Sequence, residues 1–205
     1  LEFYSIKVPN GPLTSKLKYI EPGKFLAVSD KPTGTLTLAN LELGGHLWLM
    51  ATGTGIAPYI SLLRDPNTFD AFDKITVCWT VSNKNDLRSY NQFLEENDVT
   101  YFPTVTREEF KNQGRITKYI DGGMWDDITP NNDKIMICGS LEFNKEMKER
   151  LVAKGFEEGI SGGTSNLDEF VGMKAKDANK AKSISDVADT MDEFASGGIA
   201  KLLGE

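Results

Sequence analysis

The 205-residue chain carries 23 basic and 30 acidic residues, a net charge of −7, and so lacks the cationic excess that neutralising a nucleic-acid backbone requires. Its composition, 40% hydrophobic and 26% charged, is that of an ordinary globular protein with length for one large or two small domains. No apolar run reaches the length of a membrane span and the opening residues lack a secretory signal pattern, so a monomer in the cytoplasm is expected. One histidine, His46, and two cysteines, Cys78 and Cys138, form no metal-ligand or disulfide pattern, and both thiols are expected to be buried.

Residues Leu1 to Val8 alternate at period two, like a strand already under way, and a preceding segment is expected. The turn Pro9-Asn10-Gly11-Pro12 follows, then Leu13 to Leu17, where a helical turn capped by Thr14 or Ser15 is expected. Pro22-Gly23 marks another turn. Two short strands are read at Lys24 to Ser29 and Gly34 to Leu38, parted by Asp30-Lys31-Pro32-Thr33. Residues 1–45 thus read as half of a small β-domain, too little to close a barrel unaided.

From His46 the pattern becomes strand–helix alternation. Leu47 to Ala51 is a continuous apolar run, as a strand buried on both faces requires. A helix from Pro58 to Arg64 follows, with proline in the first turn where a missing N–H is harmless. Further strands are read at Lys74 to Thr80, Val99 to Val105 and Lys134 to Cys138. Further helices are read at Asn85 to Asn97 (capped by Asn83 or Asn85), Ile116 to Asp121 and Leu141 to Lys154. Such alternation predicts a doubly wound parallel sheet over 46–159, with ligands at the carboxyl ends of its strands. Residues 160–205 read as a linker and a helical or disordered tail, with an amphipathic helix expected from Ser185 to Ala195.

Three strand ends carry the chemistry. Thr52-Gly53-Thr54-Gly55 must turn sharply, and its glycines let backbone approach a ligand where the next helix starts, an arrangement suited to pyrophosphate. A tight strand-to-helix turn without a ligand explains the loop equally simply. Cys138-Gly139-Ser140 ends a later strand in the same way, and two such ends side by side can flank one ligand. Thr106-Arg107-Glu108, with Arg115 further on, offers two guanidinium groups for phosphate; the plainer reading pairs them with Glu108 or Glu109.

Five motifs occur in order: Gly11-Pro12-Leu13-Thr14-Ser15, Ala51-Thr52-Gly53-Thr54-Gly55-Ile56-Ala57-Pro58, Thr106-Arg107-Glu108, Asn112-Gln113-Gly114-Arg115-Ile116-Thr117 and Met136-Ile137-Cys138-Gly139-Ser140. Together they resemble the bacterial ferredoxin (flavodoxin)–NADP+ reductases, over Leu1 to about Gly159. The resemblance implies an antiparallel FAD-binding β-barrel, present in part, followed by an NADP-binding α/β domain. It implies electron transfer between NADPH and ferredoxin or flavodoxin through FAD. Tyr4 would pack on the flavin, and Pro12, Leu13, Thr14 and Ser15 would hold the FAD phosphates. Thr54 would lie between flavin and nicotinamide, at a reacting centre shared with Cys138. Gly53 and Gly55 would shape the dinucleotide loop, and Gly139 and Ser140 the nicotinamide side. Thr106, Arg107 and Arg115 would contact the 2'-phosphate and ribose.

The chain departs from that pattern in three places. The family's Arg-x-Tyr-Ser flavin motif would stand before Leu1. Ser82 occupies a position where the family often has Arg, leaving Lys84 or Arg88 as substitutes for reading the 2'-phosphate. After Gly159 the family's C-terminal segment is lost, with Asp168-Glu169-Phe170-Val171 a faint echo. Two other readings stay open: an NAD(P)H-dependent reductase component of an oxygenase, and a non-catalytic remnant that binds dinucleotide.

Overall fold

A computed structural model describes residues 2–6, 13–26, 28 and 36–157. The described residues fall into two compact units. The larger holds residues 2–4 and 36–157, and the smaller holds 5, 6, 13–26 and 28.

In the smaller unit the one helix is α1, Thr14–Leu17, with Leu13 at its cap position, so the expected hydroxyl cap does not form there. Pro22-Gly23 makes the expected turn, closed by the Lys24 N–H donating to the Glu21 carbonyl at 3.1 Å. The strand expected from Lys24 is not formed by residues 24–26 and 28, and residues 2–6 form none either. Residues 36–38, the described part of the strand expected to end at Leu38, lead instead into a single 3-10 turn, Leu38–Asn40, whose bonds are local. The Pro9–Pro12 and Asp30–Thr33 turns, Pro12 itself and the tail from 158 lie outside the described residues.

The larger unit is built on four parallel strands: β1 His46–Thr52, β2 Lys74–Val81, β3 Thr100–Val105 and β4 Asp133–Cys138. Their spatial order is β3-β2-β1-β4, so the chain leaves β1 in one direction and returns to its other side for β4. Helices α2 Ala57–Leu63, α3 Asn67–Ala71, α4 Lys84–Leu87 and α5 Asn91–Glu96 connect β1, β2 and β3. Helices α6 Ile116–Tyr119 and α7 Leu141–Ala153 flank β4 in sequence.

Alternation along β1 assigns its two faces. Leu47, Leu49 and Ala51 pack with Ile60 and Leu63 of α2, Leu87 of α4 and Leu94 of α5. Trp48 and Met50 pack on the opposite face with Ile116 of α6 and Phe143, Met147 and Leu151 of α7. A strand clothed on both sides has no polar face to show, which accounts for its unbroken apolar run. The sheet is doubly wound, as the strand–helix alternation predicts.

Three helical details differ from the expectation. Residues 65–73, left unassigned by the sequence pattern, hold α3, where the Asp65 carboxylate accepts from the Asn67 N–H at 3.0 Å. The helix expected over 85–97 is two. Asn83 and Asp86 form a reciprocal capping box for α4, and Tyr90 then leaves helical geometry (φ −137°) before α5 begins. Its ring is buried 6.2 Å from that of Trp79, and its hydroxyl donates to Glu2 at 2.7 Å. The helix expected to reach Asp121 widens after Tyr119 into a π-turn, Ile120–Met124, which Arg150 of α7 ties down through two 2.8 Å bonds to Asp121.

At the amino end of the sheet the carboxylate of Asp133 is buried yet fully engaged. It accepts from the Trp48 indole N–H at 2.9 Å and the Thr129 N–H at 2.8 Å. His46 lies beside it, Nδ1 3.4 Å from the carboxylate and Nε2 2.8 Å from the Thr76 hydroxyl. Burial, with Lys74 nearby, lowers the His46 pKa below its ordinary 6.5, against the pull of Asp133. Between the folded and unfolded values the unfolded chain binds more protons. The stability this group contributes is therefore present above 6.5 and lost as pH falls through that window. His46 is the chain's one histidine. Thermal midpoints measured from about pH 7.5 down to about pH 5.5 are expected to fall, and His46→Gln to flatten that slope.

Candidate functional site at the strand carboxyl ends

The order β3-β2-β1-β4 puts the topological switch between β1 and β4, the place outside the strand carboxyl ends where open α/β sheets form their ligand crevice. Both glycine-bearing turns lie at that place. β1 exits through the 3-10 turn Gly53–Ile56, which runs directly into α2. β4 exits through Gly139 and Ser140 into α7.

The two turns touch. A Cβ on Gly55 would collide with the Cys138 carbonyl, and one on Gly139 would collide with the Thr52 hydroxyl and the Phe143 ring. The Thr52 hydroxyl accepts the Ser140 N–H at 3.3 Å across 88 residues of sequence. Ser140 caps α7, its side chain accepting the Phe143 N–H at 3.2 Å. Gly53 serves differently: its φ of +52° is the left-handed region, and its Cβ direction is open. The Trp79 indole donates to the Gly53 carbonyl at 2.8 Å and pins the turn to β2.

Thr54 sits within the β1 turn, partly buried, and its carbonyl accepts the Ala57 N–H. Cys138 ends β4, partly buried, and burial pushes its thiol up, so it stays a neutral thiol at physiological pH. Cys78, on the opposite face of the sheet from Ala51, is fully buried with its thiol pushed up to about 12. The expectation of two buried thiols holds for Cys78 and in part for Cys138.

The third group assembles at β2 and β3. The Thr106 N–H donates to the Val81 carbonyl and the Arg107 N–H to the Ser82 carbonyl, both at 3.0 Å. Ser82, Thr106 and Arg107 therefore share one strand-end surface. The Arg107 side chain is exposed and makes no ion pair among the described residues. Arg115 is elsewhere engaged. Val105 exchanges backbone bonds with Asn112 and Gly114, folding the loop back so that Arg115 opens α6. Its guanidinium lies 3.7 Å from both Glu142 and Glu146 of α7, so the pairing expected with Glu108 or Glu109 is corrected to these two.

Tyr4 packs edge-on against Tyr90 at 5.1 Å, next to the Arg64–Glu2 ion pair of 2.7 Å. Leu13, Thr14 and Ser15 belong to the smaller unit, at the start of α1. A separate cleft of about 270 Å³, lined by Phe72, Lys74, Ile75, Asp98 and Thr100, lies at the amino ends of β2 and β3 and so faces away from the crevice. Trp79, Thr52 and the Glu142/Glu146 pair carry no linear signal of a role here. Their partners are 26, 88 and about 30 residues away in sequence.

Known proteins match this architecture. Residues 49–149 fit the model of the oxidoreductase NAD-binding domain. Ferredoxin–NADP reductase A of Sorangium cellulosum is 42% identical over 181 residues, covering 79% of this chain and 65% of that protein. The flavodoxin/ferredoxin–NADP reductase of Rhodobacter capsulatus is 41% identical over 193 residues, covering 85% and 70%. The chain thus spans about two thirds of the length of these relatives. Among solved structures, a Neisseria gonorrhoeae ferredoxin NADP+ reductase with bound FAD and NADP superposes with a TM-score of 0.68 at 24% identity, over 74% of this chain and 66% of that one. No helix among the described residues is long and apolar enough to cross a membrane.

The contact between the turns yields a graded expectation. Gly55→Ala and Gly139→Ala, which meet backbone or a packed ring, are each expected to destabilise by about 1–3 kcal/mol in urea unfolding. Gly53→Asn, with open space and a left-handed conformation that Asn tolerates, is expected to cost well under about 1 kcal/mol. An equal loss at all three positions would contradict the packing described.

Proposed function

The chain belongs to the ferredoxin (flavodoxin)–NADP reductase family, and from that premise we propose that it is an NADP(H) oxidoreductase passing electrons between NADPH and ferredoxin or flavodoxin through FAD. The observation that carries the reading is the meeting of the Gly53–Ile56 and Cys138–Ser140 turns at the switch point. Bare backbone on both sides of a crevice is what a dinucleotide needs to lie across the strand ends. The exposed guanidinium of Arg107 beside Ser82 and Thr106, without an ion pair among the described residues, supports a phosphate at the adenosine end.

When bound, FAD takes hydride equivalents from NADPH and releases electrons singly. The chain's own residues bind and orient. Thr54 and Cys138 flank the reacting centre, Gly139 and Ser140 receive the nicotinamide side, and Arg107 with Thr106 and Ser82 reads the 2'-phosphate. Arg115 joins them by exchanging Glu142 and Glu146 for a nucleotide oxygen; both pairs are solvent-exposed and weak enough to be exchanged. Leu13, Thr14 and Ser15, with Pro12, hold the FAD phosphates, Tyr4 lies against the ring, and residues 1–45 contribute to an FAD-binding β-barrel. No acid–base pair is needed, because hydride transfer moves no proton through the protein.

Two measurements test this reading. Purified protein incubated with FAD and then freed of unbound flavin by gel filtration is expected to retain the visible flavin absorbance band, which NADPH then bleaches; a protein that emerges colourless argues for the dinucleotide-binding remnant. Arg107→Ala is expected to weaken NADPH binding about tenfold or more while leaving NADH nearly unchanged. Equal losses for both nucleotides would show that Arg107 does not read the 2'-phosphate.

A further inference from the structure

Asn144, on the first turn of α7, is 8% exposed and has an odd hydrogen-bond inventory. Its side-chain NH2 donates to the Gly139 carbonyl at 3.3 Å. Its side-chain oxygen is buried and has no partner. A buried amide with an orphaned acceptor is a poor way to fill a core, since a leucine of similar size would leave nothing unsatisfied. Nor is it needed for α7: the cap is Ser140, and the Asn144 backbone N–H bonds the Ser140 carbonyl at 2.9 Å whatever its side chain.

What the side chain does reach is one particular peptide. The Gly139 carbonyl and the Ser140 N–H belong to the same peptide plane. Asn144 holds the first and the Thr52 hydroxyl holds the second. A peptide next to glycine rotates at little steric cost, so its orientation has to be set by bonds rather than by Cβ contacts. Here one bond comes from each side of the switch point, β1 through Thr52 and α7 through Asn144. The geometry points to Asn144 as a positioning residue: with Thr52 it locks the Gly139–Ser140 peptide in a single orientation and so shapes the seat of the nicotinamide end of the dinucleotide. This assignment rests on the reading above that the nicotinamide side lies at Gly139 and Ser140. Sites held by residues that do not optimise stability are the usual sign of function at a fold's expense.

The test compares Asn144→Leu and Asn144→Asp with the unaltered full chain by three readouts: thermal midpoint, affinity for NADP+ and for adenosine 2',5'-bisphosphate, and hydrogen exchange of the Ser140 amide. The lock predicts that Asn144→Leu keeps or raises the midpoint while the Ser140 amide exchanges faster. It predicts NADP+ binding weakened about five- to tenfold, the worth of one ordering hydrogen bond, with the bisphosphate unchanged because it lacks the nicotinamide end. Asn144→Asp, isosteric but poorer in donors, should show the same split. A lowered midpoint together with equal losses for both ligands would make Asn144 an ordinary structural residue and overturn the proposal. So would unaltered exchange at Ser140. If the unaltered chain binds neither ligand, the dinucleotide reading fails, and the exchange measurement still decides separately whether the peptide is locked.

Discussion

No side chain fits where the exit of β1 passes the exit of β4, and the rest of the site follows from that exclusion. Gly55 lies against the Cys138 carbonyl and Gly139 against Thr52 and Phe143, so the two turns meet backbone to backbone. Such an approach needs both strands to end at the same level, which the parallel register delivers by pairing Ala51 with Cys138. It also needs each turn to be held from behind. Trp79 holds the first through the Gly53 carbonyl, and Ser140, capping α7, holds the second. The close approach is a property of the sheet, with the glycines leaving room for the two turns to meet.

At the opposite end of the same strands a buried charge is held without a ligand. Asp133 is as buried as the core around it, yet each oxygen has a donor, and His46 and Trp48 close over it with rings 4.4 Å apart. That carboxylate is satisfied internally. At the carboxyl end, among the described residues, the Arg107 head group has no ion pair and the Asn144 side-chain oxygen has no hydrogen-bond partner.

Legibility in the sequence followed the range of the forces involved. The four strands of the α/β unit and helix α7 were readable because continuous apolar runs and 3.6-residue periodicity are local consequences of burial. The two glycine turns were readable for the same reason, each sitting directly after an apolar run. The break at Tyr90 was not, because it depends on Trp79 and on Glu2, 88 residues away. Helix α3 announced itself only through Asp65-Pro66-Asn67, a cap followed by a proline start that is easily taken for a turn. Arg115 was legible as a cation near the site. Its carboxylate partners on α7 became visible only once α6 and α7 shared a face of the sheet.

The bond from Trp79 to Gly53 has one more consequence. The chain has three tryptophans, and Trp48 and Trp125 sit together across the sheet, 6.4 Å apart, in the other core. Trp79 alone is wired to the turn at the crevice. Its emission is therefore sensitive to whatever enters there, while the other pair reports on the scaffold. A ligand arriving at that turn is thus expected to change the emission of one tryptophan of the three, with no label attached.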